Sequence, residues 1–176
     1  NGGSGFDIAS YAEVTTKLNL SLAKTGAQKA GSAGADKLVS IEGLAGGSAS
    51  DKLAGNKGDN ILIGNGGADT LTGGDGNDTL RGGAGNDVLN GQAGRDTADY
   101  SDIGTAVTVH LAKTGIQNTG GAGRDMLVGI ENVTGGKGND KLFGDTRGNV
   151  IDGGGGSDRL FGGQGSDTLI GGAGND

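Results

Sequence analysis

Cysteine, proline and tryptophan are absent from the 176 residues, and only three phenylalanines, two tyrosines and one histidine occur. Without cysteine there is no disulfide, and the redox compartment is left open. Apolar residues make up 32%, well below an ordinary globular chain, so a conventional core is not expected. The longest apolar runs are three or four residues, against the roughly 20 of a spanning helix, so no membrane insertion by this segment is predicted. No signal peptide is visible. No nucleophile–base pair, HExxH, P-loop or cysteine–histidine cluster occurs, which argues against an enzyme. The formal net charge of −7 repels phosphate backbones and anionic lipid, so nucleic acid is excluded and cations are the natural partners.

What is abundant is glycine, with 43 residues, in two nested repeats. Sliding the chain by 89 positions lays Tyr11 on Tyr100, "LAKTG" at 22–26 on 111–115, and "GGAGND" at 82–87 on 171–176. About half of the aligned positions are identical, without gaps. The short repeat is a nonapeptide: "GGDGNDTLR" (73–81), "GGAGNDVLN" (82–90) and "GQAGRDTAD" (91–99) are successive copies. Each has a glycine-rich half and a three-residue half with an apolar middle: Leu53, Leu62, Leu71, Leu80, Leu89, then Ala98. Alternation across a strand points that residue to one face. One unit is thus a turn plus a short strand, two units make a coil, and stacked coils give parallel strands about 4.8 Å apart.

The expected organisation is the end of a preceding roll at 1–10, a spacer strand in 11–30, an array over 31–99, a second spacer strand in 100–119 and a second array over 120–176. Each spacer should carry one longer half-buried strand, marked by Leu18, Leu20 and Leu22 or by Val107, Val109 and Leu111. The inserts "SIEGLA" (40–45) and "GIENVT" (129–134) add Ile41, Leu44, Ile130 and Val133 to the inside. Both ends lie within the repeat pattern, so the segment reads as an excerpt of something longer.

Stacking puts like aspartates in register, and two carboxylates about 4.8 Å apart repel by roughly 1–3.5 kcal/mol. Each interior glycine adds an ordering cost of about 0.5–1 kcal/mol. A hard divalent cation reverses the balance, because Ca²⁺ takes six to eight oxygen ligands and can use the carbonyls that glycine-rich turns expose. Units neighbouring each other on one edge are eighteen residues apart. One edge carries Asp51, Asp69 and Asp87, the other Asn60, Asp78 and Asp96; the second copy has Asp140, Asp158 and Asp176, and Asn149 with Asp167.

The pattern resembles the RTX (repeats-in-toxin) family, with its G-G-x-G-x-D-x-U-x repeats in which U is apolar. The resemblance implies an all-β fold, a right-handed parallel β-roll or β-helix solenoid, with several Ca²⁺ held in the turns by aspartates and backbone carbonyls. Carried over position by position, the edge aspartates are the expected ligands. Asn60 and Asn149 replace a carboxylate by an amide, so sites using them should bind weakly or stay empty; Arg147 brings a positive charge to its turn. Asp7, Asp36 and Asp125 lie in isolated repeats and rank below the others. Glu42 and Glu131 read as structural groups or occasional cation ligands. Tyr11 and Tyr100 are expected to cap the ends of the apolar stack, and His110 to face solvent.

Of the G-x-G-x-x-G matches, none precedes a helix-forming segment, and the EF-hand glutamate is missing. Ice binding would need a threonine row, which Ser48, Lys57, Gly66, Asp75, Ala84 and Ala93 do not supply. The expected function is a non-catalytic calcium-binding module of a large secreted or surface bacterial protein such as an adhesin. The family resemblance implies export by a type I system and folding outside the cell, with neighbouring modules as partners. The alternative is the C-terminal folding and secretion tail of a protease, lipase, epimerase or cytolysin.

Overall fold

Most strands are short because each nonapeptide leaves three residues between its sixth position and the next glycine, as in Thr79–Arg81 and Lys141–Phe143, each with only its middle residue buried. The glycine-rich half then reverses the chain, and alternate units fall into different sheets. The computed structural model describes residues 1–176.

One face is a parallel sheet of eight strands. Its order is Ile8–Ser10, Gly43–Ala45, Ile61–Ile63, Thr79–Arg81, Thr97–Asp99, Asn132–Thr134, Val150–Asp152 and Thr168–Ile170. The register stacks Leu44, Leu62, Leu80, Ala98, Val133 and Ile151 in one column. The opposite face stacks Leu20, Leu53, Leu71, Leu89 and Leu127, then separately Val109, Leu142 and Leu160. Between the faces lies a single apolar cluster of 23 buried residues. No helix is long and apolar enough to cross a membrane.

The second spacer affects the two faces differently. The eight-stranded sheet passes it without a break, because Thr97–Asp99 pairs directly with Asn132–Thr134. Opposite, one sheet stops at an antiparallel hairpin of Gln117–Gly120 with Gly123–Val128, and a three-stranded sheet starts afresh at Thr108–His110. The hairpin is an addition to what periodicity suggested; Gln28–Lys29 and Ala35–Asp36 form its smaller counterpart.

The spacer strands are shorter than expected, only Asn19–Ser21 and Thr108–His110. Their partners, Lys52–Ala54 and Lys141–Phe143, are themselves three residues long. Pairing ends one bond later, where Leu22 N–H donates to Ala54 O (2.9 Å) and Leu111 N–H to Phe143 O (2.9 Å). Beyond the edge a glutamine side chain takes over. Gln117 Oε1 accepts His110 N–H (2.8 Å) and its Nε2 donates to His110 O (3.3 Å). Gln28 does the same for Ser21 at 2.8 and 2.7 Å. Each buried amide imitates one peptide of a further strand and satisfies an edge that would otherwise offer bare N–H and C=O groups.

His110 is half-exposed, and its ring stacks on Phe143 at 4.1 Å, which in turn stacks on Phe161 at 4.6 Å.

Candidate metal-binding rims

The sixth residue of each nonapeptide ends the glycine turn, and the coil places it beside its counterpart one coil away. Its backbone N–H donates to the carboxylate of that next counterpart. On one rim Leu18 N–H bonds Asp51 Oδ1 (2.8 Å), Asp51 N–H bonds Asp69 (2.7 Å), Asp69 bonds Asp87 (2.8 Å) and Asp87 bonds Asp125 (2.9 Å). On the other, Asn60 bonds Asp78 and Asp78 bonds Asp96, both at 2.8 Å. The second copy repeats this from Val107 to Asp140 (2.8 Å), Asp140 to Asp158 (2.8 Å), Asp158 to Asp176 (3.0 Å) and Asn149 to Asp167 (2.9 Å).

Glu42 and Glu131 are rungs of the second rim, a role that periodicity alone does not reveal. Glu42 Oε2 accepts Asp7 N–H and Glu131 Oε2 accepts Asp96 N–H, each at 3.0 Å across 35 residues. Their recurrence at the long period was the available signal.

The second carboxylate oxygen divides these residues into two kinds. In Asp7, Asp69, Asp78, Asp87, Asp96 and Asp158 the Oδ2 is buried and accepts no hydrogen bond. Asp69, Asp78, Asp87 and Asp96 are themselves at most 2% exposed. In Asp51 and Asp140, by contrast, Oδ2 accepts the N–H of the residue four positions earlier, Gly47 (2.9 Å) and Gly136 (2.6 Å). Asn60 and Asn149 accept the matching N–H of Asn56 (2.7 Å) and Asp145 (2.8 Å) through Oδ1, and their amide nitrogens donate to Glu42 O (3.0 Å) and Glu131 O (2.7 Å).

Backbone geometry accompanies the division. The residue four before each orphaned carboxylate has positive φ: Gly3 96°, Asn65 72°, Gly74 124°, Gly83 90°, Gln92 74° and Gly154 82°. Gly47, Asn56, Gly136 and Asp145 do not. Left-handed φ at that position turns its N–H away from the carboxylate. That the chain holds Asn65 and Gln92 there, at a cost glycine would avoid, marks the conformation as imposed by the turn.

Asp125 is saturated instead by hydroxyls, since Oδ2 accepts Tyr100 OH (3.2 Å) and Thr119 Oγ1–H (2.9 Å). Tyr11 OH likewise donates to Asp36 Oδ2 at 3.1 Å. The tyrosine rings lie in the apolar cluster, and their hydroxyls bond Asp36 and the rim residue Asp125. Burial, with the adjacent Asp36, pushes the Tyr11 phenol up to about 12, and burial raises Tyr100 as well, so both remain donors. Asp167 is half-buried and Asp176 exposed.

Arg147 folds back over its own turn. It forms ion pairs with Glu131 and with Asp145 (2.7 Å) and donates to Ile130 O (3.1 Å).

No three acidic or histidine side chains converge on one point. A cation on either rim would thus draw most of its oxygens from main-chain carbonyls. These are at hand: a Cβ on Gly64 would stand 2.3 Å from Asp69 Oδ2 and 2.6 Å from Gly82 O, and one on Gly153 2.4 Å from Asp158 Oδ2 and 2.5 Å from Gly171 O. Glycine at the head of the unit lets a carboxylate oxygen and a carbonyl crowd together. Oxygen-only, flexible donor sets of this kind suit Ca²⁺ rather than zinc or copper.

Burial pushes Asp69 and Asp78 up to about 6 and Asp87 to about 7; neighbouring carboxylates add to the rise and the accepted backbone N–H opposes it. An unfolded aspartate titrates near 3.9. Protonation therefore favours the metal-free fold: the contribution is complete below about pH 4 and is lost as pH rises through 6 to 7. In EGTA, the β-structure that remains by circular dichroism should be greater at pH 5 than at pH 8. An equal or smaller β-signal at pH 5 would mean that these carboxyls are not desolvated.

A family model for the RTX calcium-binding nonapeptide repeat matches the chain in four copies, at residues 45–80, 63–98, 119–146 and 143–176. A search of curated proteins finds no match. The matches span more than half of the chain and fall on the strands and rims described above, so the chain belongs to the RTX calcium-binding nonapeptide repeat family.

Proposed function

We propose that this segment is a non-catalytic structural module whose rims bind several Ca²⁺ ions, and whose folding depends on them. The orphaned carboxylates Asp69, Asp78, Asp87, Asp96 and Asp158 supply the charge, with Asp7, Asp167 and Asp176 continuing the rims. The observation that carries this reading is the set of buried Oδ2 atoms without a donor, which recur along both rims at Asp7, Asp69, Asp78, Asp87, Asp96 and Asp158. A buried anion without a partner is strongly destabilising, whereas one that ligates a metal is not. Metal binding is then coupled to folding.

The place of action in this reading is outside the cell, in a large secreted or surface-attached bacterial protein. Calcium is abundant there and scarce in the cytosol, so a chain exported unfolded would order on arrival. Family membership and the acidic surface support it, and further copies of the 89-residue unit are the natural neighbours.

The test is far-ultraviolet circular dichroism of the purified segment titrated with CaCl₂ and then with excess EGTA. Cooperative gain of β-structure with Ca²⁺, its loss with EGTA and little response to Mg²⁺ are expected, since Mg²⁺ demands a tighter octahedron. A complete sheet in EGTA at pH 8 would refute the coupling.

A further inference from the structure

Motif matching treats all turns on a rim as equivalent; their hydrogen bonds do not. We infer that the first turn on each rim of each 89-residue copy, the turns of Asp51, Asn60, Asp140 and Asn149, takes no calcium, because a backbone N–H of the protein already fills the cation's place against the side-chain oxygen. Each copy then has a metal-free head, and ion binding begins one coil later. This rests on the calcium-binding role proposed above.

Three observations converge. The N–H donors at Gly47, Asn56, Gly136 and Asp145 lie 2.6–2.9 Å from the oxygens that are orphaned in later turns. The backbone at those four residues lacks the positive φ found in the turns with orphaned oxygens. Neighbouring structure holds them so. Spacer carbonyls press on the first rim, where Val14 O accepts Ser48 N–H (3.2 Å) and Ile103 O accepts Lys137 N–H (2.9 Å). A Cβ on Gly47 would stand 1.8 Å from Val14 O, and one on Gly136 2.4 Å from Ile103 O.

On the other rim, local side-chain turns hold the backbone: Asn56 Oδ1 accepts Gly58 N–H (2.8 Å) and Asp145 Oδ1 accepts Arg147 N–H (2.7 Å). The amides of Asn60 and Asn149 then donate to carbonyls a cation would otherwise claim, and the Arg147 guanidinium supplies a tethered positive charge beside Glu131.

The test is calcium stoichiometry by equilibrium dialysis and elemental analysis, for wild type, Asp51→Asn, Asp69→Asn and Asn60→Asp. Asp69→Asn should bind at least one ion fewer than wild type. Asp51→Asn should keep the wild-type number, although its thermal midpoint falls with the lost hydrogen bond. Asn60→Asp restores the motif carboxylate and should still add no ion. Loss of calcium by Asp51→Asn equal to that by Asp69→Asn, or an extra ion in Asn60→Asp, would overturn the inference and leave the proposed function standing. A wild-type segment that binds no calcium would overturn both.

Discussion

Gly85→Ala should destabilise the calcium-loaded roll by about 3 kcal/mol or more. That corresponds to a fall of roughly 6–12 °C in the thermal midpoint of a chain this size. Gly85 sits in the turn of Asp87 with φ 150°, and a Cβ there would stand 1.5 Å from Gly67 O, one coil away. No rotation of a side chain relieves this, since the obstacle is backbone. The two coils must separate, and the stacking bonds Gly85 N–H to Ala122 O (2.9 Å) and Gly67 N–H to Ala84 O (3.1 Å) are in the path. Strained φ alone costs about 1–3 kcal/mol, and the lost bonds add to it. Gly104→Ala is the control: its Cβ would meet nothing within 4 Å and its φ is ordinary, so a change within about 0.5 kcal/mol is expected. Equal midpoints for the two variants would mean that the coils are not packed backbone to backbone.

Leu80→Ala should cost about 3–5 kcal/mol, measured by denaturant unfolding at saturating calcium. Leu80 is fully buried in the middle of the eight-stranded column, between Leu62 and Ala98. With Ala98 already small, the wall cannot close over the void, which puts the cost toward the upper part of the usual range. Leu169→Ala at the last strand is the comparison, because that side chain is 48% exposed and leaves no cavity. Its effect should be below about 1 kcal/mol. A loss at Leu80 no larger than at Leu169 would place the stabilising contacts elsewhere than in the leucine column.

The coil and its register were legible because nine-residue spacing fixes both which residue points inward and which one stacks on it. Leu62 on Leu80 and Asp69 on Asp87 follow from arithmetic alone. Where the period breaks, spacing gives no guide. The hairpin at Gln117–Val128 and the edge-sealing amides of Gln28 and Gln117 depend on side chains that belong to no nonapeptide, and only their return at 89 residues hinted at them. The motif also showed which residues carry carboxylates, but not what each second oxygen meets. Asp51 and Asp69 occupy the same motif position, yet one meets Gly47 N–H and the other none. The difference lies in a backbone angle set by Val14, more than thirty residues earlier in the chain.

The unbroken eight-stranded sheet has a mechanical corollary. Between Ile8–Ser10 and its counterpart Thr97–Asp99 the sheet advances by four strand steps, Gly43–Ala45, Ile61–Ile63, Thr79–Arg81 and Thr97–Asp99 itself. At about 4.8 Å per step that is ~19 Å of folded length, whereas 89 residues drawn taut reach roughly 300 Å. Each copy thus stores some fifteen-fold extension, paid out only when its coils peel apart; under the calcium-coupled folding proposed above, withdrawal of divalent ions would turn each copy into a long compliant tether.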